Sequence, residues 1–208
     1  MTTMQVLATP EDAARRLEGF GLRLDDLGAA VRHGLHAAAT CTPHDPPNFA
    51  GLLGWGRTVR GLRDTLVPRD WHVDNSRNYP TVVSPDGMIA IAVAAGDYNT
   101  GLAGTPATRS AKGPATREAI VLNQMSFAEL DASFAVGAPV PKSTWLLLHY
   151  HDKSAKEVRM ELSLPAGFDE DGVVTDWHER IVLPSLTTAY EPPEDPGGAP
   201  IDVPVVRR

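Results

Sequence analysis

The chain has 208 residues and a formal net charge of −7 at neutral pH, and 42% of its residues are hydrophobic. This length and composition are typical of a globular domain, and the acidic balance argues against a generally basic nucleic-acid-binding protein. The single cysteine, Cys41, excludes an internal disulfide, and 18 glycines with 18 prolines predict many turns and loops.

No apolar run approaches the ~20 residues that a bilayer span requires. The first residues lack the basic and apolar regions of a signal peptide, so we expect a soluble, cytoplasmic protein that does not contact a membrane. Richness in alanine, glycine, proline and arginine is typical of a high-GC bacterial genome.

Residues 1–68 predict a helical region. Thr9 is suited to cap a first helix whose first position is Pro10, and the chain is expected to leave that helix at Gly19 or Gly21. A second helix is predicted from about Asp25. Its apolar stripe consists of residues spaced three and four apart, namely Leu24, Leu27, Val31 and Leu35.

A third helix is predicted after Asn48, which is suited to cap it. One apolar face is expected to contain Leu52, Trp55, Val59, Leu62 and Leu66. Four glycines would each weaken this helix by about 1 kcal/mol relative to alanine, so its stability depends on tertiary contacts. The same small residues would allow another backbone to come close.

The strongest strand signal is a hairpin over Thr81–Ala95, preceded by an irregular polar segment. Pro85-Asp86-Gly87 predicts its turn, because proline presets φ, aspartate bonds locally and glycine accepts a positive φ. Residues 88–95 are apolar on both faces, which predicts an interior strand.

The polar loop 96–113 is long enough to suggest a functional or disordered segment. Residues 96–101 match the start of a phosphate-binding P-loop, but Leu102 and Ala103 stand where that motif requires lysine and serine or threonine. A Walker A site is therefore excluded. Arg109, Lys112 and Arg117 surround a helix start near Thr116, where backbone amides and the helix dipole favour an anion. A second helix, or a kink, is expected to begin at Ser126, which starts a capping box.

A second hairpin is predicted from 145–152 and 157–164, the latter strand alternating as if half-buried. His149-Tyr150-His151 followed by Glu157 resembles the HxH…E metal pattern of cupin barrels, although the spacing from His151 to Glu157 is longer. We expect both histidines to lie beside Glu157 on one face, and this motivates an alternative divalent-metal site. A turn at 169–172 and a further strand over 173–184 follow.

The predicted class is α+β, with N-terminal helices followed by a mainly antiparallel or mixed sheet built from hairpins with inserted helices. The expected regions are 1–68, helical; 69–189, a sheet domain packed with it; and 190–208, an acidic proline-rich tail that is extended or disordered.

The leading functional hypothesis is a non-catalytic binding protein without a cofactor. It would recognise a nucleotide, a nucleic acid or an acidic protein surface through a central basic patch and the 96–113 loop. The candidate ligand-binding residues are Arg57, Arg60, Arg69, Arg77, Arg109, Lys112, Thr116 and Arg117. The alternatives are a metal-dependent hydrolase using His149, His151 and Glu157, and a purely structural interaction protein. The oligomeric state stays open.

Overall fold

The computed structural model describes residues 4–132 and 142–188, and the side chains of 125–132 are outside that description. The described residues form four α-helices: α1 (Pro10–Glu18), α2 (Leu24–Ala38), α3 (Phe49–Leu66) and α4 (Pro114–Ala132). Single 3-10 turns lie at Val67–Arg69 and Ser76–Asn78. Within these residues, no helix combines the length and apolarity that a membrane span requires.

Seven strands in the described residues form one mixed sheet. They are β1 (Gln5–Leu7), β2 (His72–Asp74), β3 (Thr81–Val83), β4 (Ile89–Ala95), β5 (Ser143–Asp152), β6 (Glu157–Phe168) and β7 (Val174–Thr187), in the order β1-β7-β6-β5-β4-β3-β2. The pairs β1–β7 and β4–β5 are parallel, and the other neighbours are antiparallel. The α+β class is confirmed.

Helices cover both faces of this sheet. On one face, Ile91, Val93 and Leu147 share a core with residues of α1, α2 and α3. On the other face, Ala92 and Ala94 pack with Ile120 of α4. Both faces of β4 are therefore buried, which explains why its sequence is apolar at every position.

The first two helices begin where local chemistry places them. Thr9 Oγ1 accepts a hydrogen bond from the Asp12 amide at 3.2 Å, and Pro10 is the first residue of α1. In α2, Leu27 and Val31 are buried, as their spacing predicts. The cap predicted for α1 and the apolar stripe predicted for α2 are confirmed.

The apolar face predicted for α3 is only half correct. Val59, Leu62 and Leu66 are buried, but Leu52 is 60% exposed and Trp55 is 37% exposed. Asn48 occupies the capping position with a φ of 66° and no side-chain cap. The N-terminal half of α3 thus presents apolar side chains at the protein surface.

Two α3 glycines allow the close approach of α2. A Cβ atom on Gly54 would lie 3.3 Å from Ala38 Cβ, and one on Gly61 would lie 3.1 Å from Ala30 Cα. On the α2 side, a Cβ on Gly34 would lie 1.9 Å from the Thr58 hydroxyl. The predicted role of small residues in α3 is therefore confirmed for the α2 contact.

The β3–β4 hairpin has the predicted turn. Gly87 has a φ of 75°, its amide donates to the Ser84 carbonyl at 2.9 Å, and Asp86 accepts from the Met88 amide. Hydrogen bonds from the Ser84 hydroxyl and the Met88 amide hold the pKa of the Asp86 carboxyl below its usual value. β4 lies between β3 and β5, so its interior position is confirmed.

Two expectations about the later elements are corrected. α4 is one helix from Pro114 to Ala132, without the break expected at Ser126. β6 is not half-buried, since Glu161 and Ser163 on its polar face are fully shielded from solvent. The short parallel strand β1 carries no sequence signal that separates it from a loop. The division into 1–68 and 69–189 stays a prediction, and the predicted tail lies outside the described residues.

Candidate functional site

The basic residues predicted to form one patch lie on two faces of the sheet. Arg57 and Arg60 belong to α3, which packs on the face containing Val93. Lys112 lies near the end of the 96–113 loop and Arg117 in the first turn of α4, which packs on the face containing Ala92. The sheet therefore separates the α3 arginines from Lys112 and Arg117.

Other arginines make structural ion pairs. Arg69 Nη2 lies 2.7 Å from the buried carboxylate of Asp26, and Arg77 pairs with Glu118 of α4. Arg63, also on α3, donates to the backbone carbonyls of Asp74 and Thr81 at 3.1 and 3.0 Å. The Arg63 contacts fasten the segment around β2 and β3 to α3, whereas Arg69 pairs with α2 and Arg77 with α4. These guanidinium groups are therefore engaged within the protein.

The cluster at the α4 start is tied to the β6–β7 turn. Arg117 Nε donates to the Lys112 carbonyl at 3.0 Å, and its guanidinium lies 5.5 Å from the Phe168 ring centre. The amide of Lys112 donates to the Gly172 carbonyl at 2.8 Å. Burial lowers the pKa of Lys112 to about 8. Thr116 is buried, and its amide donates to Gly113.

The 96–113 loop is held in place by a buried ion pair that sequence reasoning missed. Arg180 Nη2 lies 2.7 Å from Glu161 Oε2, and Nε lies 3.1 Å from Oε1, with both side chains fully buried. Arg180 also donates to the carbonyls of Leu102 and Gly104, while Glu161 accepts from the Gly101 amide. The loop is thus ordered by groups from β6 and β7.

Further contacts fix the second half of this loop. The Thr108 amide donates to the Val174 carbonyl at 3.0 Å, and the Arg109 amide donates to Ala95 at 2.9 Å. Trp177 Nε1 donates to the Pro106 carbonyl at 2.8 Å. These bonds make the loop part of the covering of the sheet, which is a structural role that its length alone did not indicate.

The three residues of the alternative metal site do not share a face. His149 lies opposite Met160 and His151 opposite Val158 in the β5–β6 ladder, on the face that packs against α1–α3. Glu157 lies opposite Asp152 instead, so its side chain belongs to the other face. The expectation that Glu157 accompanies both histidines was wrong. Within residues 4–132 and 142–188, no three such side chains are grouped to hold a metal ion.

The histidines nevertheless occupy an unusual environment. Burial, together with a smaller effect of the neighbouring His151, lowers the pKa of His149 to about 4. His149 Nε2 is shielded from solvent and makes no hydrogen bond to the described residues. A neutral imidazole under the helices therefore fits the packed core better than a charged one.

Exposed apolar side chains lie beside charged groups along α3. We define the α3 outer face as Phe49, Leu52, Trp55, Gly56, Arg57 and Arg60. These residues and Leu53 line a groove of about 360 Å³. The indole Nε1 of Trp55 donates to the Val93 carbonyl at 3.1 Å, which fixes the ring while its outer edge stays exposed. The groove thus has one rigid aromatic wall.

A second groove continues this surface toward the end of α3. It has a volume of about 710 Å³ and shares Gly56 and Arg60 with the first. Its remaining lining residues are Val59, Arg63, Asp64, Val67, Pro68 and Val73. Arg60 Nε lies 3.2 Å from the exposed carboxylate of Asp64. The two grooves together contain three arginines and one aspartate, a local positive balance in an acidic chain.

No protein family, curated protein or solved structure was found to match this chain. Its function is therefore inferred from its own residues.

Proposed function

We propose that this chain is a non-catalytic, cytoplasmic binding protein whose α3 outer face recognises an acidic, partly apolar protein segment. The observation that carries the proposal is the exposure of Leu52 and Trp55 beside Arg57 and Arg60, along two connected grooves. The proposal keeps the anionic partner predicted from the sequence but assigns it to the α3 side of the sheet alone.

The chemistry of this face is that of a protein interface. Contiguous apolar surface rimmed by polar groups marks interaction sites, and tryptophan and arginine dominate the energetics of such sites. Trp55 is held by its bond to Val93 and loses little freedom on binding. Arg57 and Arg60 are placed to pair with carboxylates at the rim, where complementary charge gives specificity and faster association.

A protein segment fits this face better than a nucleic acid does. Nucleic-acid affinity depends on neutralising many phosphates, and the chain as a whole carries a net charge of −7. The cationic groups near α4 would not add to the contact, since they lie behind the sheet. The apolar half of the face, formed by Phe49, Leu52 and Trp55, has no equivalent partner on a phosphate backbone.

The test measures binding of three labelled probes to the full chain by fluorescence anisotropy at low ionic strength. The probes are a helix-forming peptide with a leucine stripe flanked by glutamates, the same peptide with lysines in their place, and a single-stranded DNA. We expect the glutamate peptide to bind best, and the double variant Arg57→Glu/Arg60→Glu to lose that binding.

The matched control is Arg15→Glu/Arg32→Glu, which makes the same change in net charge at exposed positions on α1 and α2. It should bind the glutamate peptide like the unmodified protein. If both double variants lost binding of the glutamate peptide equally, net charge alone would explain the loss, and the proposal would be contradicted. Preferred binding of DNA, falling steeply with salt, would favour the nucleic-acid alternative instead.

A further inference from the structure

Two glycines of α3, Gly51 and Gly56, have no packing partner among the residues that the structure describes. A Cβ atom added to Gly51 or Gly56 would have no atom within 4 Å, whereas Gly54 and Gly61 face α2. Neither Gly51 nor Gly56 has a positive φ, so backbone conformation does not require glycine at these positions. Glycine weakens a helix interior, and an alanine at Gly56 would be expected to strengthen α3 in the isolated protein.

Gly56 stands at the centre of the exposed surface. It lines both grooves, with Leu52 one turn before it and Arg60 one turn after it. Arg63 and Val67 continue the same row at helical spacing, so the row from Phe49 to Val67 runs about 27 Å along α3. The missing side chain at Gly56 makes this the position where a partner backbone can approach α3 most closely.

The floor of the grooves favours a helical occupant over an extended one. α3 satisfies its own backbone groups, and the lining side chains beside Gly56 are largely apolar. An extended peptide lying there would leave its amides and carbonyls without partners on the buried side. A helix satisfies these groups internally and presents only side chains to the grooves.

The charges of the residues that line the grooves determine which kind of helix is complementary to them. Arg57 and Arg60 are the cationic groups of the grooves that face a partner, and Asp64 is the carboxylate among the lining residues. The guanidinium of Arg63 is bonded to backbone carbonyls within the protein. A second copy of this face would bring arginines against arginines, whereas a helix with carboxylates along its flanks would be complementary. We propose that the segment bound on the α3 outer face is an amphipathic α-helix with acidic flanks that crosses α3 over Gly56. This inference rests on the proposed function and specifies its partner class.

The experiment selects binders from a phage-displayed library of random 20-residue peptides against the full chain. Counter-selection on the Arg57→Glu/Arg60→Glu variant removes peptides that bind elsewhere. We expect the enriched peptides to carry apolar residues at three- and four-residue spacing with Asp or Glu beside them. Their circular dichroism should show a gain of helix on binding. Enrichment of proline-rich or basic sequences, or of none, would overturn the inference.

Two leucine substitutions then test the crossing position with the best peptide. Gly56→Leu should weaken binding by about tenfold or more, because the added side chain fills the approach of the partner backbone. Gly51→Leu is the matched control, since Gly51 belongs to the same helix and is also open but does not line either groove. Neither change should lower the melting temperature of the free protein, so loss of binding in Gly56→Leu alone is not a folding defect.

The outcomes separate this inference from the proposed function. Binding that depends on Arg57 and Arg60 but is equal in Gly56→Leu and Gly51→Leu would overturn the helix crossing and leave the acidic partner in place. If no acidic peptide bound through Arg57 and Arg60, both the helix inference and the proposed function would be overturned. The free chain could instead sediment as a dimer, and Gly56→Leu could dissociate that dimer. The occupant of the α3 outer face would then be a second copy of the chain, which would also overturn the inference.

Discussion

Glu161 and Arg180 form a bidentate ion pair in which neither side chain contacts solvent, with Nη2–Oε2 and Nε–Oε1 distances of 2.7 and 3.1 Å. The pair also forms hydrogen bonds with backbone groups of the 96–113 loop. Gly101 donates its amide to Glu161, and the carbonyls of Leu102 and Gly104 accept from Arg180. The stability of the loop and of the β6–β7 ladder is therefore coupled through two side chains.

Arg180→Met should destabilise the protein by about 3–5 kcal/mol, because it leaves the Glu161 carboxylate buried without its counter-ion. Urea denaturation measures this loss, and hydrogen exchange should show faster exchange of the Gly101 amide. The exposed pair Arg60–Asp64 is the control. Arg60→Met should change stability by less than about 0.5 kcal/mol, since exposed ion pairs contribute little. Similar losses in both variants would contradict the structural role of the buried pair.

The pH dependence of stability should contain a contribution from His149. Burial lowers its pKa from 6.5 to about 4, so between these values the unfolded chain binds a proton that the folded protein does not. This stability is fully present above pH 6.5 and is lost as the pH falls toward 4, by on the order of 3 kcal/mol. His149→Leu should flatten the fall measured by denaturation between about pH 7 and 5, and His44→Leu, at an exposed position, should not. Parallel curves for the protein and His149→Leu would refute this assignment.

Lys112 should destabilise the folded protein at neutral pH. Burial lowers its pKa from 10.5 to about 8, so the charged amine is disfavoured in the folded state at pH 7, and stability rises as the pH increases from 8 to 10.5. Lys112→Met should raise the unfolding free energy at pH 7 by on the order of 3 kcal/mol. The gain should disappear near pH 10.5, and Lys153→Met, at an exposed position, should give none. A gain that does not vary with pH would point to packing alone.

Alanine substitutions at Gly34 of α2 and Gly51 of α3 should change the stability of the protein in opposite directions. Gly34→Ala should cost about 1–3 kcal/mol or more, because its Cβ would lie 1.9 Å from the Thr58 hydroxyl and 2.5 Å from the Gly54 carbonyl. Gly51→Ala should add up to about 1 kcal/mol, since its Cβ enters open space and alanine favours the helix. Thermal denaturation of the two variants provides the comparison. A stable Gly34→Ala protein would show that the two helices can separate at little cost.

Local chemistry made several elements predictable from the sequence. The cap at Thr9, the turn at Asp86-Gly87 and the apolar spacing of α2 each depend on residues within one or two turns of each other. Such signals survive in any tertiary context. For the same reason the α+β class and the interior position of β4 could be predicted. The absence of a lysine after Gly101 likewise excludes a P-loop from the sequence alone.

The candidate site depended on contacts that no local pattern contains. Leu52 and Trp55 have the spacing of a buried stripe, and they are exposed because α2 covers the Gly54 and Gly61 side of α3 instead. The alternation in β6 predicts a solvated face for Glu161, but the 96–113 loop and Arg180 cover that side chain.

The start of α1 and the turn of the β3–β4 hairpin follow from the local sequence, because their capping and turn bonds join near neighbours. Which apolar and charged side chains share a face depends on tertiary packing. Strand register set His149 and Glu157 on opposite sides of the sheet, and the sheet itself separated the α3 arginines from Lys112 and Arg117. Those relationships join residues far apart in the chain, and burial of both sheet faces determines them.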